Sequence, residues 1–143
     1  MSALASSALP GRRPSLVADI MSRPVLTVAT SDSLWDVWQL LFVSGLRHLV
    51  VLDQDGSAVG VLSDRNVLAE APVTAEHLGS RRVADALAHV PIVFAKPSDA
   101  PDRAASVMAA NAVEALPVLD DDDRLAGIVT ESDIVKWVAS TAR

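Results

Sequence analysis

The chain has 143 residues, half of them hydrophobic, with a formal net charge of −6 and no cysteine. That length suits one compact domain or two small units sharing a core, since a unit of about 60 residues is marginal alone. The composition excludes disulfides and thiolate sites, and it disfavours nucleic acid, because no basic stripe extends beyond Arg12-Arg13 and Arg81-Arg82. No run approaches the roughly 18 apolar residues of a membrane helix. In the opening stretch no charge precedes the apolar residues, and Pro10-Gly11-Arg12-Arg13-Pro14 follows them, an order unlike a secretory signal. Residues 1–15 are expected to be a flexible tail and the protein to be soluble and cytoplasmic.

A short helical lead-in over 17–21 ends ahead of Pro24, because a residue before proline avoids helical geometry. An extended run, Val25–Val28, follows. The next helix, over 32–44, repeats Leu34, Val37, Trp38, Leu41 and Phe42 at helical spacing, with Ser31 placed to cap it. A hairpin then joins Leu49–Leu52 to Ala58–Leu62 through Asp53-Gln54-Asp55-Gly56, and a helix begins after Ser63. Residues 70–80, with Pro72 and Gly79, read as a linker. The same series then recurs: a lead-in at 83–87, an extended run Ile92–Ala95, a helix over 99–111, a hairpin of Leu116–Leu119 and Leu125–Val129, and a helix after Thr130.

The recurrence is a duplication. A shift of 67 lays Pro24 on Pro91, Ser31-Asp32 on Ser98-Asp99, Val51-Leu52-Asp53 on Val118-Leu119-Asp120 and Gly60 on Gly127. Gly60 to Asn66 overlays Gly127 to Asp133 without a gap. Upstream, Val17-Ala18-Asp19 matches Val83-Ala84-Asp85 at a shift of 66, so one residue has been inserted between. The expected units are 16–70 and 81–138, with a linker at 71–80 and a tail at 139–143.

These residues resemble the tandem CBS-domain pair, or Bateman module. The likeness rests on the lead-in Val17 to Pro24, the strand Leu49 to Asp53, and both Gly-x-x-[Ser/Thr]-x-x-[Asp/Asn] stretches, and it extends from Val17 to Val138. It implies an α+β fold: two βαββα units packed pseudo-two-fold symmetrically through their sheets, with two clefts between them. It also implies a ligand such as AMP, ADP, ATP or S-adenosylmethionine, a regulatory role toward a separate partner protein, and pairing into a homodimer. In such proteins basic residues at the place of Arg47 and His48 reach ligand phosphates, a contact that suits a guanidinium.

The residues themselves fit such a ligand. A carboxylate accepts both hydroxyls of a ribose, and Asp133 lies one turn beyond Thr130. Gly127 lets backbone approach closely, and the free N–H groups at a helix start meet oxygen ligands. Val61 and Ile128, with Val28 or Ala95 from the first strands, are candidates to sandwich a purine, and Thr27 is a further nucleotide-binding candidate. The first copy offers Ser63 and Asn66, an amide without a charged acceptor. Both Ser63-x-x-Asn66 and Thr130-x-x-Asp133 are equally readable as helix caps that need no ligand.

No nucleophile elbow, P-loop or metal-ligand spacing occurs, so no catalytic or metal-binding residue and no required cofactor is expected. His48, His77 and His89 are scattered, and Asp120–Asp123 reads as a solvated turn. The competing function is a ligand-free dimerisation module, with Trp35, Trp38, Phe42 and Trp137 on its helical interface.

Overall fold

The computed structural model describes residues 15–141, so the tail expected over 1–15 lies outside the described residues except for Ser15. The first copy comprises α1 (Val17–Ile20), β1 (Thr27–Ala29), α2 (Leu34–Ser44), β2 (His48–Leu52), β3 (Ala58–Ser63) and α3 (Asp64–Leu68). A connecting helix, α4 (Ala75–Gly79), leads to α5 (Val83–Leu87), α6 (Pro101–Asn111), β4 (Ala115–Leu119), β5 (Leu125–Thr130) and α7 (Glu131–Thr141). Residues 139–141, expected in a tail, thus complete the last helix. The architecture is α+β, as expected.

In the first copy β1 pairs parallel to β2, which pairs antiparallel to β3. In the second, β4 and β5 form the hairpin, and the strand expected over Ile92–Ala95 is reduced to one parallel bridge between Ala95 and Val118. Chemistry accounts for the difference. Val50 donates its N–H to the Leu26 carbonyl at 3.2 Å, whereas its counterpart is Pro117, which has no N–H to offer Val93. The second sheet keeps the bonds from Ala95 N–H to the Pro117 carbonyl (3.0 Å) and from Leu119 N–H to the Ala95 carbonyl (2.9 Å).

The long helices begin two residues later than expected. Ser33, not Ser31, caps α2, its hydroxyl accepting from Asp36 N–H at 3.1 Å. Asp32 instead turns back to accept from Ala29 N–H at 2.8 Å. In the second copy Pro101 takes the first helical position, where its missing N–H costs nothing.

The lead-in helices are exchanged between the copies. Val17 of α1 packs with Ala95, Ala104, Met108, Leu116, Val118 and Val129, the core of the second copy. Val83 and Ala86 of α5 pack with Val28, Leu34, Val37, Leu49 and Leu62, the core of the first. Hydrogen bonds fix the exchange symmetrically. Val17 and Ala18 donate to the carbonyls of Asp99 and Pro97, and Val83 and Ala84 donate to those of Asp32 and Thr30. These are N–H groups that a helix start cannot satisfy internally. Between the sheets, Val50, Val61, Ala115 and Ile128 form an apolar seam.

The linker expected over 70–80 is also part of the packing. Thr74 caps α4 by accepting from His77 N–H at 3.1 Å, and Leu78 is fully buried in the first core. An ion pair of 2.6 Å between Arg81 and Glu70 closes this connection. Leu78→Ala is therefore expected to cost about 2–5 kcal/mol of stability, the range for a buried leucine. Urea denaturation of the two forms measures it, and a loss below about 0.5 kcal/mol would fit a free linker instead.

Candidate functional site

The repeat creates two related places where a β3- or β5-type strand runs into a helix start beside the other copy. At the second, β5 ends at Thr130 and the Asp133 carboxylate turns back on it. Asp133 Oδ2 accepts from Thr130 N–H (2.9 Å) and Thr130 Oγ1–H (3.2 Å), and Asp133 N–H donates to Thr130 Oγ1 (3.3 Å). The other carboxylate oxygen meets the lead-in: Ser22 Oγ–H donates to Asp133 Oδ1 at 3.2 Å. Ser22 and Ile128 also exchange backbone bonds of 2.8 and 3.1 Å. Gly127 lies so close to this segment that a Cβ there would come within 2.7 Å of Met21 Sδ and 3.0 Å of the Ser22 carbonyl. On the side expected to hold the ligand, residues 21–22 thus pair with β5 and engage the Asp133 carboxylate.

The first copy differs. Ser63 and Asn66 form the matching box: Asn66 Oδ1 accepts from Ser63 N–H and Oγ–H, each at 2.8 Å, and Asn66 N–H donates to Ser63 Oγ at 3.1 Å. Here the second lead-in makes no bridge to β3 among the described residues. A cleft of about 250 Å³ remains. The first copy lines it with His48, Val61, Ser63, Arg65 and Asn66, and the second with His89, Val90, Pro91 and Val93 on one side and Ala112 to Ala115 and Pro117 on the other. The second lead-in connection is one residue longer, with eight positions from Val83 to Pro91 against seven from Val17 to Pro24.

Of the expected residues, the structure gathers His48, Val61, Ser63 and Asn66 at this cleft. Ile128, Thr130 and Asp133 gather where residues 21–22 bridge to β5. Val28 and Ala95 are corrected: they are 8% and 2% exposed and lie inside the two cores. Their strand partners explain this, since Val28 pairs with Val51 and Ala95 with Val118, and residues opposite one another share a face. Val51 and Val118 point into the cores, whereas Val50 and Pro117 point to the seam and cleft. Thr27, opposite Val50, is exposed on the flank of that face. Arg47, next to His48, lies largely in solvent, 3.7 Å from Asp64, and is not among the residues lining this cleft.

The cleft also brings together Arg65, His89, Val93 and Glu114, none of which was among the expected site residues. Glu114 corresponds to Arg47 under the repeat, and its carboxylate crosses between the copies to accept from Arg65 Nη1 at 2.7 Å. Its other oxygen lies 3.8 Å from His48 Nε2. The slip of register from 66 to 67 was the available signal for an open second connection.

Burial lowers the pKa of His48 below its ordinary 6.5, outweighing the attraction of Glu114 and Asp64 that would raise it. His48 is therefore neutral near pH 7 in the folded chain. A depressed folded value means that its contribution to stability is present above the unfolded-chain value and is lost as pH falls through the folded one. Between pH 7.5 and 5 the melting temperature of wild type should fall more than that of His48→Gln. Parallel thermal melts check this, and equal slopes would refute it.

Comparison with known proteins places these features. The CBS domain model matches residues 17–72 and 83–140. The chain is 30% identical over 122 residues to L-aspartate semialdehyde sulfurtransferase of Methanocaldococcus jannaschii, covering 83% of this chain and 22% of the relative. It is 30% identical over 118 residues to inosine-5′-monophosphate dehydrogenase of the same organism, covering 82% and 22%. The chain thus spans about a fifth of the length of these curated relatives. Among solved structures, a CBS domain pair in complex with 5′-methylthioadenosine and S-adenosyl-L-methionine superposes with a TM-score of 0.75 at 24% identity, covering 91% of this chain and all of that one. CBSX2 in complex with AMP gives 0.71 at 27% identity, covering 90% and 98%. Two tandem matches, an internal duplication and the paired sheets agree: the chain belongs to the CBS domain family.

Proposed function

We propose that this CBS-domain pair is a regulatory module that binds one adenosine-type ligand in the cleft at Ser63 and Asn66. The observation that carries the reading is that this cleft is open, lies between the copies and joins apolar walls to converging polar groups. That combination is the usual form of a small-ligand site. The complex of CBSX2 with AMP supports an adenosine moiety as the ligand's common part. With Oδ1 of Asn66 already accepting twice, Nδ2 is the group that meets ribose oxygens.

Regulation follows from where the cleft lies. A ligand touching both copies favours one arrangement of them and so alters the surface shown to a partner. The partner is a protein whose activity follows the level of the adenosyl metabolite. Such coupling requires that the ligand bind the arrangements unequally, which a site shared by two units provides.

A second reading concerns assembly, and specific exposures favour it. Phe42 and Val43 on α2 are 83% and 82% exposed, and Val135 on α7 is 66% exposed. Leu68 on α3, the repeat counterpart of Val135, is 46% exposed. Trp35 and Trp38 are half-buried and pack against the first core. We place a homodimer contact on the exposed apolar helix residues, whose burial against a second copy removes them from water.

Two measurements test these proposals. Ligand at about 100 times its Kd should stabilise the fold by about 2.7 kcal/mol, seen as a raised melting temperature with an adenosyl panel. Asn66→Ala should remove that rise and cost about 1 kcal/mol of capping, while Asp133→Ala should keep the rise and lower only the unliganded midpoint. No rise with any adenosyl compound would favour the ligand-free module. Separately, light scattering at micromolar concentration should give a dimer mass for wild type and a monomer mass for Phe42→Asp; a monomeric wild type refutes the dimer.

A further inference from the structure

Glu114 occupies in the second copy the place that Arg47 holds in the first, so the duplication has reversed the charge at one position. Its carboxylate is held by Arg65 of the other copy at 2.7 Å and lies 3.8 Å from His48 Nε2, which makes no hydrogen bond to it. The exposures decide which charge governs the cleft. The Arg65 side chain is 71% exposed and its charge is well solvated, whereas that of Glu114 is 30% and that of His48 14% exposed. Solvent screens the guanidinium more than the carboxylate. His48 is neutral near pH 7, so it adds no second positive charge beside the ligand.

We propose that Glu114 determines specificity in this cleft, selecting an adenosyl compound with a positively charged substituent over one that carries phosphate. This rests on the adenosyl reading of the cleft. A phosphate bound at Arg65 would lie beside the Glu114 carboxylate, whether it shares the guanidinium or displaces the carboxylate from it. A sulfonium or ammonium group instead meets the carboxylate directly and leaves the bond to Arg65 in place. Arg47, the counterpart of Glu114 in the first copy, is instead paired with Asp64 at 3.7 Å.

Three probes that share adenosine separate this proposal from the reading beneath it. Calorimetry compares uncharged 5′-methylthioadenosine, cationic S-adenosylmethionine and AMP on wild type, Glu114→Gln and Glu114→Lys. Methylthioadenosine should bind all three forms alike, which also reports that the variants keep a folded cleft. Wild type should prefer S-adenosylmethionine to AMP, Glu114→Gln should cut that preference about tenfold, and Glu114→Lys should invert it. If methylthioadenosine binds but wild type prefers AMP, or the ratio stays constant in both variants, the proposal is overturned while the adenosyl reading stands. If methylthioadenosine fails to bind wild type, the adenosyl reading falls and takes this proposal with it.

Discussion

Neither half of this chain closes its own core. Each is completed by the other half's lead-in helix, whose first N–H groups reach carbonyls in the facing copy: Val17 to Asp99, and Val83 to Asp32. A short helix contributes little by itself, because nucleation is unfavourable and few residues propagate it. Here the docking loop satisfies the N–H groups that the helix leaves open, and Val17 and Val83 are fully buried as a result. Unfolding one copy would uncover an apolar face on the other, so the two copies are coupled by construction.

The exchange also sets the fate of the two clefts. A chain that leaves one copy's lead-in must cross the seam to reach its own first strand, and the crossing passes over the helix start of the opposite copy. With the shorter connection, Ser22 falls in register to pair with Ile128 and to donate to Asp133. With one residue more, His89 and Val90 line an open cleft. The same motif therefore serves as a latch on one side and a candidate binding site on the other. An acidic side chain that looks the better ribose acceptor is engaged, and the neutral amide faces the space.

Capping and recognition are not alternatives at these positions. Ser63 and Asn66 satisfy the N-terminus of α3 through mutual bonds while still bordering the cleft. A side chain locked by its cap is held in one rotamer, so ordering it for a ligand costs little further entropy. Glu114 shows the same economy, since its bond to Arg65 both joins the copies and fixes a charge at the cleft.

Local chemistry along the chain determined the duplication, the hairpins with their Asp-rich turns, the long amphipathic helices and the cap motifs, because each depends on residues close in sequence. It also recorded the one-residue slip between the lead-ins. Tertiary structure alone decided which copy each lead-in serves, which of two similar clefts stays open, and that Val28 and Ala95 face cores while Glu114 faces Arg65. Those outcomes turn on which side of a strand meets which partner, and on contacts between residues as far apart as Ser22 and Asp133. Periodicity states that a face is apolar, but the packing of the two copies chooses what that face meets.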